Sequence, residues 1–373
     1  MKILIVSMRS IHTIRWVSQL EDSGHEVHWF DILNGGNIKA WNWVEQHTNW
    51  RYKFGYFKGY YFVKRHLPWL YKLLENNVEK KFEQLLNEIK PDVVQSLVMY
   101  NSCVPIFPVM QKHKQLKWIY SAWGNDLFYY RNVKGYREDI LKVLPRIDYM
   151  FADCKRDINI AKELGFKGRV LGVFPGGGGY HLEHYSKYEK TFDNRKVILV
   201  KGYEQRFGKA MHVIKALINI KTRLEPFKVV VFGADEEFYS KYDANLAQEF
   251  IEVRGHLKHD EVLKLMGESL IYIGNSESDG MPNTLLEAII MGVFPIQSNP
   301  GGATAEIIKD DVNGKLIQDC ESIIEIETKI LEAISDKQLL KDAMMHNKAL
   351  RPELGYKKIQ RQVMEQYNSI EID

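Results

Sequence analysis

The sequence contains few cysteines, and those present are not spaced for a disulfide or metal framework. Its 373 residues include 3 cysteines, Cys103, Cys154 and Cys320, and none of them belongs to a C-x-x-C pair. A disulfide scaffold and a thiolate zinc site are therefore both disfavoured. A reducing compartment, the cytoplasm, is the simplest location for such a chain.

Net charge and long apolar runs are also scarce. The 51 Lys and Arg residues nearly balance the 48 Asp and Glu residues, which leaves a formal net charge of +3. This charge is too small for the global field of a nucleic-acid-binding protein, so no nucleic-acid partner is expected. The apolar run Ile3–Val6 is shorter than a signal-peptide core, and no stretch approaches the roughly 18 apolar residues of a membrane span. We expect a soluble or peripherally attached protein.

The sequence does contain a regular alternation of short apolar runs and segments of helical period. This alternation predicts an α/β fold of doubly wound parallel sheets with helices on both faces, and the second half of the chain repeats the pattern independently. Helices are predicted at Thr13–Ser23 and Arg156–Leu164, each followed by a glycine. The predicted strands are Ile3–Val6, Val27–Phe30, Val93–Ser96, Trp118–Ser121, Tyr149–Ala152, Val170–Val173, Val197–Lys201, Lys228–Phe232, Phe250–Arg254, Leu270–Gly274 and Val293–Gln297.

The glycine run Gly176–Gly179, followed by the polar stretch Ser186–Lys196, separates the two halves. Glycines carry no side chain to pack, so this run predicts a domain boundary or hinge, with a phosphate-cradling loop as the alternative. We expect an N-terminal domain over residues 1–178 and a C-terminal domain over residues 179–353. The last segment, residues 354–373, has helical composition and is expected to pack back on the first domain.

Residues 50–73 form an aromatic-basic segment, with ten aromatic residues, six Lys or Arg and no acidic residue. Aromatic rings favour the headgroup level of a bilayer, and each basic residue adds about 1 kcal/mol near an anionic surface. One interpretation is contact with a membrane surface. The other is an aromatic-rich insertion that packs on the domain and leaves its lysines in solvent.

The segment Gly274–Ala288 is rich in groups that can bind a ligand. A strand ends at Gly274, a polar loop follows, and a helix is predicted to begin at Asn283 or Thr284, with Asn283 able to cap it. Free N–H groups at such a helix start bind anions. Asp279 and Glu287 lie eight positions apart, and their carboxylates can accept paired hydrogen bonds from the hydroxyls of a sugar and a ribose.

A second strand-to-helix turn, Lys201–Ala210, places Lys201, Arg206 and Lys209 in the same domain. Cations of this kind can hold a diphosphate. The turn is not a P-loop, because Ala210 replaces the Ser or Thr that binds magnesium and the glycine spacing is one residue too long. Kinase and ATPase chemistry is therefore disfavoured, as is dehydrogenase chemistry, since no G-x-G-x-x-G follows the first strand.

Together these motifs resemble the C-terminal half of the family-4 retaining glycosyltransferases (glycosyl transferases group 1), over roughly Val197 to Ile317. The first half is similar more loosely, at Met1–Ser7, Gly24–Val27 and Trp123–Asp126. The C-terminal motifs, in order, are Gly202 with Lys209, Phe232-Gly233, Val253–Leu257, Asp279–Ala288, and Phe294–Ile296 with Gly301-Gly302 and Glu306–Ile308.

The resemblance implies the GT-B fold, in which two Rossmann-like domains face each other across a cleft. It implies a nucleotide diphosphate sugar donor bound by the second domain, a glycan or lipid-linked acceptor bound mainly by the first, and no metal or other cofactor. The catalytic residues implied are Lys209, Arg206, Asp279 and Glu287. The donor-binding residues implied are Gly202, Gly233, Glu277, Gly280, Met281, Pro282, Asn283, Thr284, Leu285 and Glu287.

The chain departs from the family pattern at three places. Asp279 stands where the family has a longer Glu, and nearby Glu277 could substitute for it. Tyr203 stands where the family has a phosphate-binding Arg, so Arg206 or Lys201 would supply that charge. Where relatives have glycines after the first strand, this chain has Met8–Thr13, so the acceptor or cleft candidates are Arg9, His12 and Asp126. For His12 a hydrogen-bonded loop histidine is the alternative, and for Asp126 a turn carboxylate.

These expectations amount to a retaining glycosyltransferase that works in cell-envelope or surface glycan synthesis, cytoplasmic or peripheral at the inner face of the membrane. No residue is an obvious double-displacement nucleophile, so front-face departure of the diphosphate is favoured. Two alternatives remain, a nucleotide-sugar 2-epimerase of the same fold and a noncatalytic nucleotide-sugar-binding relative. The motifs do not specify the nucleotide, the sugar, the acceptor, the linkage or the oligomeric state.

Overall fold

The computed structural model describes residues 1–53, 55, 59–243 and 250–372. Contacts divide the chain into two compact units. The first unit contains Met1–Asp153, Asp157–Gly178 and Gln360–Asp373, and the second contains Cys154–Arg156 and Gly179–Ile359. Residues 154–156 were predicted to belong to the first domain, whereas their contacts place them in the second unit.

The first unit is built on a seven-stranded parallel sheet. Its order is β3-β2-β1-β4-β5-β6-β7, so the chain starts near the middle, moves to one edge and returns to fill the other side. The central strands are apolar and buried because helices cover both faces of such a sheet. The strands are β1 (Lys2–Ser7), β2 (Glu26–Asp31), β3 (Glu45–His47), β4 (Val93–Leu97), β5 (Lys117–Ala122), β6 (Tyr149–Ala152) and β7 (Arg169–Val173).

The second unit repeats this plan in a six-stranded parallel sheet of order β10-β9-β8-β11-β12-β13. Alternate residues of β8 belong to different cores, since Ile198 and Val200 pack in one cluster while Val197 and Leu199 pack in another. Both faces of the sheet are therefore covered. The strands are β8 (Val197–Lys201), β9 (Lys228–Phe232), β10 (Ile251–Val253), β11 (Ser269–Gly274), β12 (Phe294–Ser298) and β13 (Lys315–Ile317).

Helices follow most of the strands. In the first unit and its junction they are α1 (Ile11–Ser18), α2 (Tyr60–His66), α3 (Pro68–Leu74), α4 (Val78–Ile89), α5 (Phe107–Lys112), α6 (Asn125–Phe128), α7 (Tyr136–Val143) and α8 (Lys155–Glu163). From the second unit to the C-terminus they are α9 (Leu182–Ser186), α10 (Ala210–Asn219), α11 (Glu236–Lys241), α12 (His259–Glu268), α13 (Asn283–Ile290), α14 (Ile323–Ser335), α15 (Lys337–Leu350) and α16 (Tyr356–Asn368).

The predicted fold class, two α/β parallel-sheet units, is confirmed, but three local predictions were wrong. Strands β3 and β13 were missed, because each has only three residues and its register is set by the neighbouring strand. Helix α1 is Ile11–Ser18 rather than Thr13–Ser23, because Ser10 caps it and accepts a hydrogen bond from the Thr13 N–H.

The glycine run lies close to other chain segments. A Cβ on Gly176 would lie 3.2 Å from the Trp123 ring, and one on Gly178 would lie 2.7 Å from the Gln19 side chain. Gly178 also has a φ of +70°, which favours glycine. Close packing and backbone conformation therefore account for these glycines in the structure.

Candidate active site

The strand order of the second sheet reverses between β8 and β11. The chain moves from β8 through β9 to β10, then crosses back to β11 on the other side of β8. The loops after β8 and β11 consequently diverge, and in open α/β sheets this switch point is where ligands bind. Lys209 lies in the first of these loops and Asp279 in the second.

Backbone pairing fixes the two loops to each other. Gly208 and Ser276 form an antiparallel bridge. The Glu277 N–H donates to the Phe207 carbonyl at 2.9 Å, and the Lys209 N–H donates to the Asn275 carbonyl at 3.1 Å. Residues 66 or more positions apart in the sequence are thereby held together.

Lys209 carries the positive charge at this junction. Its Nζ lies 3.1 Å from Glu277 Oε2 and 2.6 Å from Glu321 Oε1. The hydrogen bonds that it donates to these carboxylates, above all to Glu321, raise the pKa of Lys209. The side chain is therefore cationic at neutral pH. Glu277, which the sequence analysis considered as a sugar contact, is engaged in this ion pair.

Arg206 and Lys201 also lie beside the switch point, in different settings. Arg206 is exposed, has a φ of +42° and places its guanidinium 5.0 Å from the centre of the Phe207 ring. Lys201 Nζ lies 5.5 Å from the centre of the Tyr203 ring. Tyr203, which replaces the family's arginine, therefore packs against one of the two residues expected to compensate for it.

Two glycines in this region are required by close backbone approach. A Cβ on Gly202 would lie 2.8 Å from the Ala234 Cα, and one on Gly208 would lie 2.1 Å from the Tyr203 carbonyl oxygen. Gly233, after β9, has a φ of +65°. Any larger residue at Gly208 would displace the loop that carries Lys209.

Helix α13 begins at Asn283, but Asn283 does not cap it. Pro282 occupies the N-cap position and makes no side-chain cap hydrogen bond, while Asn283 Oδ1 accepts a hydrogen bond from the Tyr180 hydroxyl at 2.6 Å. The predicted cap was wrong because Asn283 has a tertiary partner that sequence spacing does not reveal. The N-cap residue therefore offers no side-chain acceptor to the first-turn N–H groups of this helix.

The residues around this helix start differ in the groups that they can offer to a ligand. Gly280, Met281 and Pro282 form the preceding loop, and the Asp279 Oδ1 accepts from the Gly280 N–H at 2.9 Å. The Thr284 hydroxyl lies 2.9 Å from the Tyr272 hydroxyl. Leu285 is fully buried, so only its backbone can contribute to a ligand site.

Glu287 is buried on α13 and is held by two side chains. Its Oε1 accepts from the Tyr185 hydroxyl at 3.2 Å and lies 2.7 Å from His259 Nε2. Within the described part of the chain, Oε2 makes no hydrogen bond. Burying a carboxylate is costly unless its oxygens have hydrogen-bond partners. Because Oε1 already has two partners, Oε2 is the oxygen that can accept from a ligand hydroxyl.

Arg156 is a residue of this site that the sequence analysis missed. Its Nη1 donates to the Asp279 carbonyl at 2.8 Å and to the Pro300 carbonyl at 2.6 Å. Glu306 accepts from the backbone N–H groups of Lys155 and Arg156, at 2.7 and 2.9 Å. Arg156 thus ties together the loops after β11 and β12, and only its basic character after a predicted strand could have drawn attention to it.

Comparisons with known proteins agree with this geometry. The model for "Glycosyl transferase 4-like" matches residues 2–153, and the model for "Glycosyl transferases group 1" matches residues 184–350. The chain belongs to the group 1 glycosyltransferases. No curated protein sequence matches it significantly.

Solved structures show the GT-B fold over the whole chain. HepE from Anabaena, in complex with UDP and glucose, is 14% identical with a TM-score of 0.72, covering 99% of this chain and 100% of that one. Sucrose-phosphate synthase from Thermosynechococcus elongatus is 12% identical with a TM-score of 0.71 and 98% of both chains covered. A glycosyltransferase from Rickettsia africae is 16% identical with a TM-score of 0.67, covering 98% of this chain and 97% of that one.

In the first unit of this glycosyltransferase, the candidate acceptor residues do not form a shared cluster of contacts. Arg9 is exposed and donates to the Gly35 carbonyl at 3.1 Å. His12 lies in the first turn of α1 rather than in a loop, because Ser10 already caps that helix. Its ring centre is 5.7 Å from that of Trp123.

Asp126 is a buried carboxylate of the first unit. Its Oδ2 accepts from the Met99 N–H at 2.8 Å and from the Tyr120 hydroxyl at 3.0 Å. Burial raises the pKa of Asp126 to about 7, although these hydrogen bonds act in the opposite direction. Of the two interpretations of this residue, its contacts support that of a carboxylate holding the turn, because it ties the end of β4 to β5.

The aromatic-basic segment is divided between the core and the surface. Trp50, Tyr60 and Tyr71 are buried. Phe62 and Trp69 are 63% and 64% exposed. Residues 54 and 56–58 lie outside the described residues, as does the side chain of residue 61. None of the described helices is both long enough and apolar enough to cross a membrane.

Proposed function

We propose that this glycosyltransferase moves a sugar from a nucleotide diphosphate sugar to an acceptor hydroxyl, with retention of configuration at the anomeric carbon. The observation that carries the proposal is the pairing of the loops after β8 and β11. That pairing holds the Lys209 ammonium 3.1 Å from Glu277, two residues before Asp279, at the switch point of the sheet.

The proposed roles follow from charge and exposure. Lys209 and the exposed Arg206 stabilise the diphosphate as its negative charge grows. The backbone N–H groups at the start of α13 hold a phosphate. Asp279 orients the sugar, and Glu287 binds the ribose through the oxygen that Tyr185 and His259 do not use.

A uridine diphosphate sugar is the proposed donor. HepE has been crystallised with UDP, with UDP-glucose, and with UDP and glucose. The pneumococcal O-GlcNAc transferase GtfA, which is 16% identical with a TM-score of 0.60, has been crystallised with UDP and GlcNAc. These names support a hexosyl or N-acetylhexosaminyl donor.

In the proposed mechanism the leaving diphosphate accepts the proton of the attacking hydroxyl on the same face of the sugar. The protein's part is to hold the donor and to neutralise the diphosphate, which Lys209 does as a permanent cation. No metal is required in this mechanism, so we expect transfer to be unchanged by EDTA. Loss of transfer in EDTA that Mg²⁺ or Mn²⁺ restores and Zn²⁺ does not would contradict that part of the proposal.

The test is a panel of nucleotide sugars, screened first by thermal shift and then by transfer to glycan and lipid-linked acceptors. We expect a uridine sugar to raise the melting temperature and to be consumed only with an acceptor. Glu287→Gln should weaken donor binding, whereas Glu236→Gln, on an exposed helix end, should not. Conversion of donor alone to an epimer, or tight binding without turnover, would favour the alternatives.

The proposed acceptor is lipid-linked, and the proposed location is the inner face of the membrane, in cell-envelope or surface glycan synthesis. Support comes from α2 and α3, where exposed Phe62, Trp69 and Leu73 accompany exposed Lys64, Arg65 and Lys72. Large exposed apolar side chains beside basic ones fit an anionic bilayer surface.

Cosedimentation with anionic liposomes tests this location. Replacing Lys64, Arg65 and Lys72 with Glu should abolish binding at low salt. Replacing the exposed Lys215, Lys221 and Lys264 of the second unit with Glu makes the same charge change and should preserve it. Equal loss in both variants would contradict a specific surface, because net charge alone would then explain binding.

A further inference from the structure

Two histidines and a glutamate form a cluster at the edge of the first sheet, away from the loops described above. His28 lies on β2, and Glu45 and His47 lie on the edge strand β3, with His28 in register opposite Glu45. His28 Nδ1 is 3.2 Å from His47 Nε2. The Glu45 carboxylate reaches both rings, at 3.4 Å from His28 Nδ1 and 4.0 Å from His47 Nε2. We call these three residues the His28 cluster.

A fourth residue, Glu26, determines which nitrogen of the His28 ring carries the hydrogen. His28 Nε2 lies 2.8 Å from Glu26 Oε1, and Glu26 is itself 3.3 Å from Lys2 Nζ. An ionised carboxylate accepts hydrogen bonds and cannot donate one. His28 Nε2 therefore carries a hydrogen and donates to Glu26, and in the neutral ring of this tautomer the lone pair is on Nδ1, directed into the cluster. A carboxylate behind a ligating histidine is the usual outer partner in metal sites.

The spacing of the two histidine nitrogens matches two ligands of a tetrahedral zinc site. Zinc binds histidine nitrogen at about 2.0–2.1 Å, so two ligands of one tetrahedron lie about 3.3 Å apart. The two nitrogens are 3.2 Å apart, while Glu45 Oε2 lies 3.4 Å from His28 Nδ1 and Glu45 Oε1 lies 4.0 Å from His47 Nε2. Both distances that exceed the ideal involve Glu45, whose side chain is 67% exposed and can move toward the rings.

Both histidine side chains are largely shielded from solvent. The side chain of His28 is 4% exposed and that of His47 is 16% exposed. The facing nitrogens of the two rings therefore meet each other and the Glu45 carboxylate.

We propose that the His28 cluster binds Zn²⁺ through His28 Nδ1, His47 Nε2 and the Glu45 carboxylate, with a water as the fourth ligand. Two imidazoles and one carboxylate are a ligand set that suits zinc. The site joins β2 to the three-residue edge strand β3, and the role assigned to it is structural. Without the metal, the same two nitrogens share one proton in a His–His hydrogen bond.

The experiment uses the full chain, stripped with EDTA and then titrated with Co²⁺ as a spectroscopic substitute for Zn²⁺. We expect one equivalent of Co²⁺ to produce the intense visible bands of tetrahedral coordination, and Zn²⁺ to abolish them by displacement. His47→Gln should weaken binding by at least 100-fold. Glu26→Gln, which removes the outer carboxylate, should weaken it by roughly 10- to 100-fold.

The matched control is His184→Gln, at a surface group of the same residue types. His181 and His184 have ring centres 5.7 Å apart, and His181 lies 3.4 Å from Glu183. That variant should bind Co²⁺ as the unmodified chain does. Absence of tetrahedral bands in the unmodified chain, or unchanged bands in His47→Gln with native circular dichroism, would overturn the proposal. If His47→Gln fails to fold, Glu45→Gln on the exposed side chain replaces it, with at least 10-fold weaker binding expected.

Discussion

The two units share a strand order, with a switch point between β1 and β4 in the first unit and between β8 and β11 in the second. The side chains at these two points differ in charge and in burial. In the second unit the residues between β8 and β11 are ionised and within reach of solvent, with Lys209 between Glu277 and Glu321. In the first unit the carboxylate beside the end of β4 is Asp126, which is buried and has a pKa of about 7. The same topology therefore carries a charged edge in one unit and a largely neutral, internally bonded edge in the other.

The difference shows that the topology selects a location and the side chains decide its chemistry. Backbone strain occurs at both switch points. Val98, at the end of β4, has a φ of +75°, which is unfavourable for a β-branched residue, and Asp126 accepts from the next N–H. In the second unit Arg206, in the loop after β8, has a φ of +42°, and the buried Glu204 of the same loop accepts from the Met211 N–H at 2.9 Å.

The largest effect is expected from removing the cation of the second switch point. Lys209→Ala should lower the rate of sugar transfer by about 100- to 1,000-fold, because charge on the departing diphosphate is no longer neutralised. Steady-state kinetics with the best donor measures this. Lys215→Ala, at an exposed position on the following helix, is the control and should retain full activity. A Lys209→Ala enzyme within twofold of the unmodified rate would remove the assigned role.

An intermediate effect is expected at the first switch point, as a change in the pH dependence of stability. Burial raises the pKa of Asp126 from 3.8 to about 7, so the folded chain keeps a proton that the unfolded chain loses. The contribution of this group to the free energy of unfolding is therefore largest near pH 4 and falls as the pH rises to 7. The Asp126→Asn variant has no titrating group at this position. The free energy of unfolding of the variant minus that of the unmodified chain should therefore rise by roughly 2 to 4 kcal/mol from pH 4 to pH 7.

Urea unfolding followed by tryptophan fluorescence measures this change in the first unit alone. All 8 tryptophans of the chain lie between residues 16 and 123. Asp139→Asn, at a partly exposed carboxylate paired with Lys142, is the control and should give a profile parallel to that of the unmodified chain. Parallel profiles for Asp126→Asn as well would show that the carboxyl is ionised throughout.

The smallest effect is expected from Glu321→Gln. Glu321 is 60% exposed, and an exposed ion pair contributes about 0 to 1 kcal/mol, so the melting temperature should change little. Donor affinity should increase by a few-fold, because one of the two carboxylates that occupy Lys209 is removed. Calorimetric titration with the donor measures the affinity. A weaker affinity in this variant would mean that Glu321 positions Lys209 for the donor rather than competing with it.

The sequence predicted those parts of the site that lie within single motifs. Asp279, Glu287, Gly202 and Lys209 could be proposed because strand, loop and helix follow one another locally there, and their roles stay predictions. Arg156, Tyr185 and His259 were not found, since each reaches its partner across more than 25 intervening residues. The Asn283 cap was wrong for the same reason, because the Tyr180 hydroxyl competes for that side chain.

By itself the sequence determined the α/β class, most of the strands and the residue types available for chemistry, because apolar period and turn residues act over short distances. Only the tertiary structure decided which charges are paired, which are buried and which strands form the edges. Glu277 is bound to Lys209, Asp126 retains a proton near neutrality, and His28 meets His47 only because β2 and β3 lie in register. The physical reason is that desolvation and Coulomb energies depend on distances between groups that the order of residues does not specify.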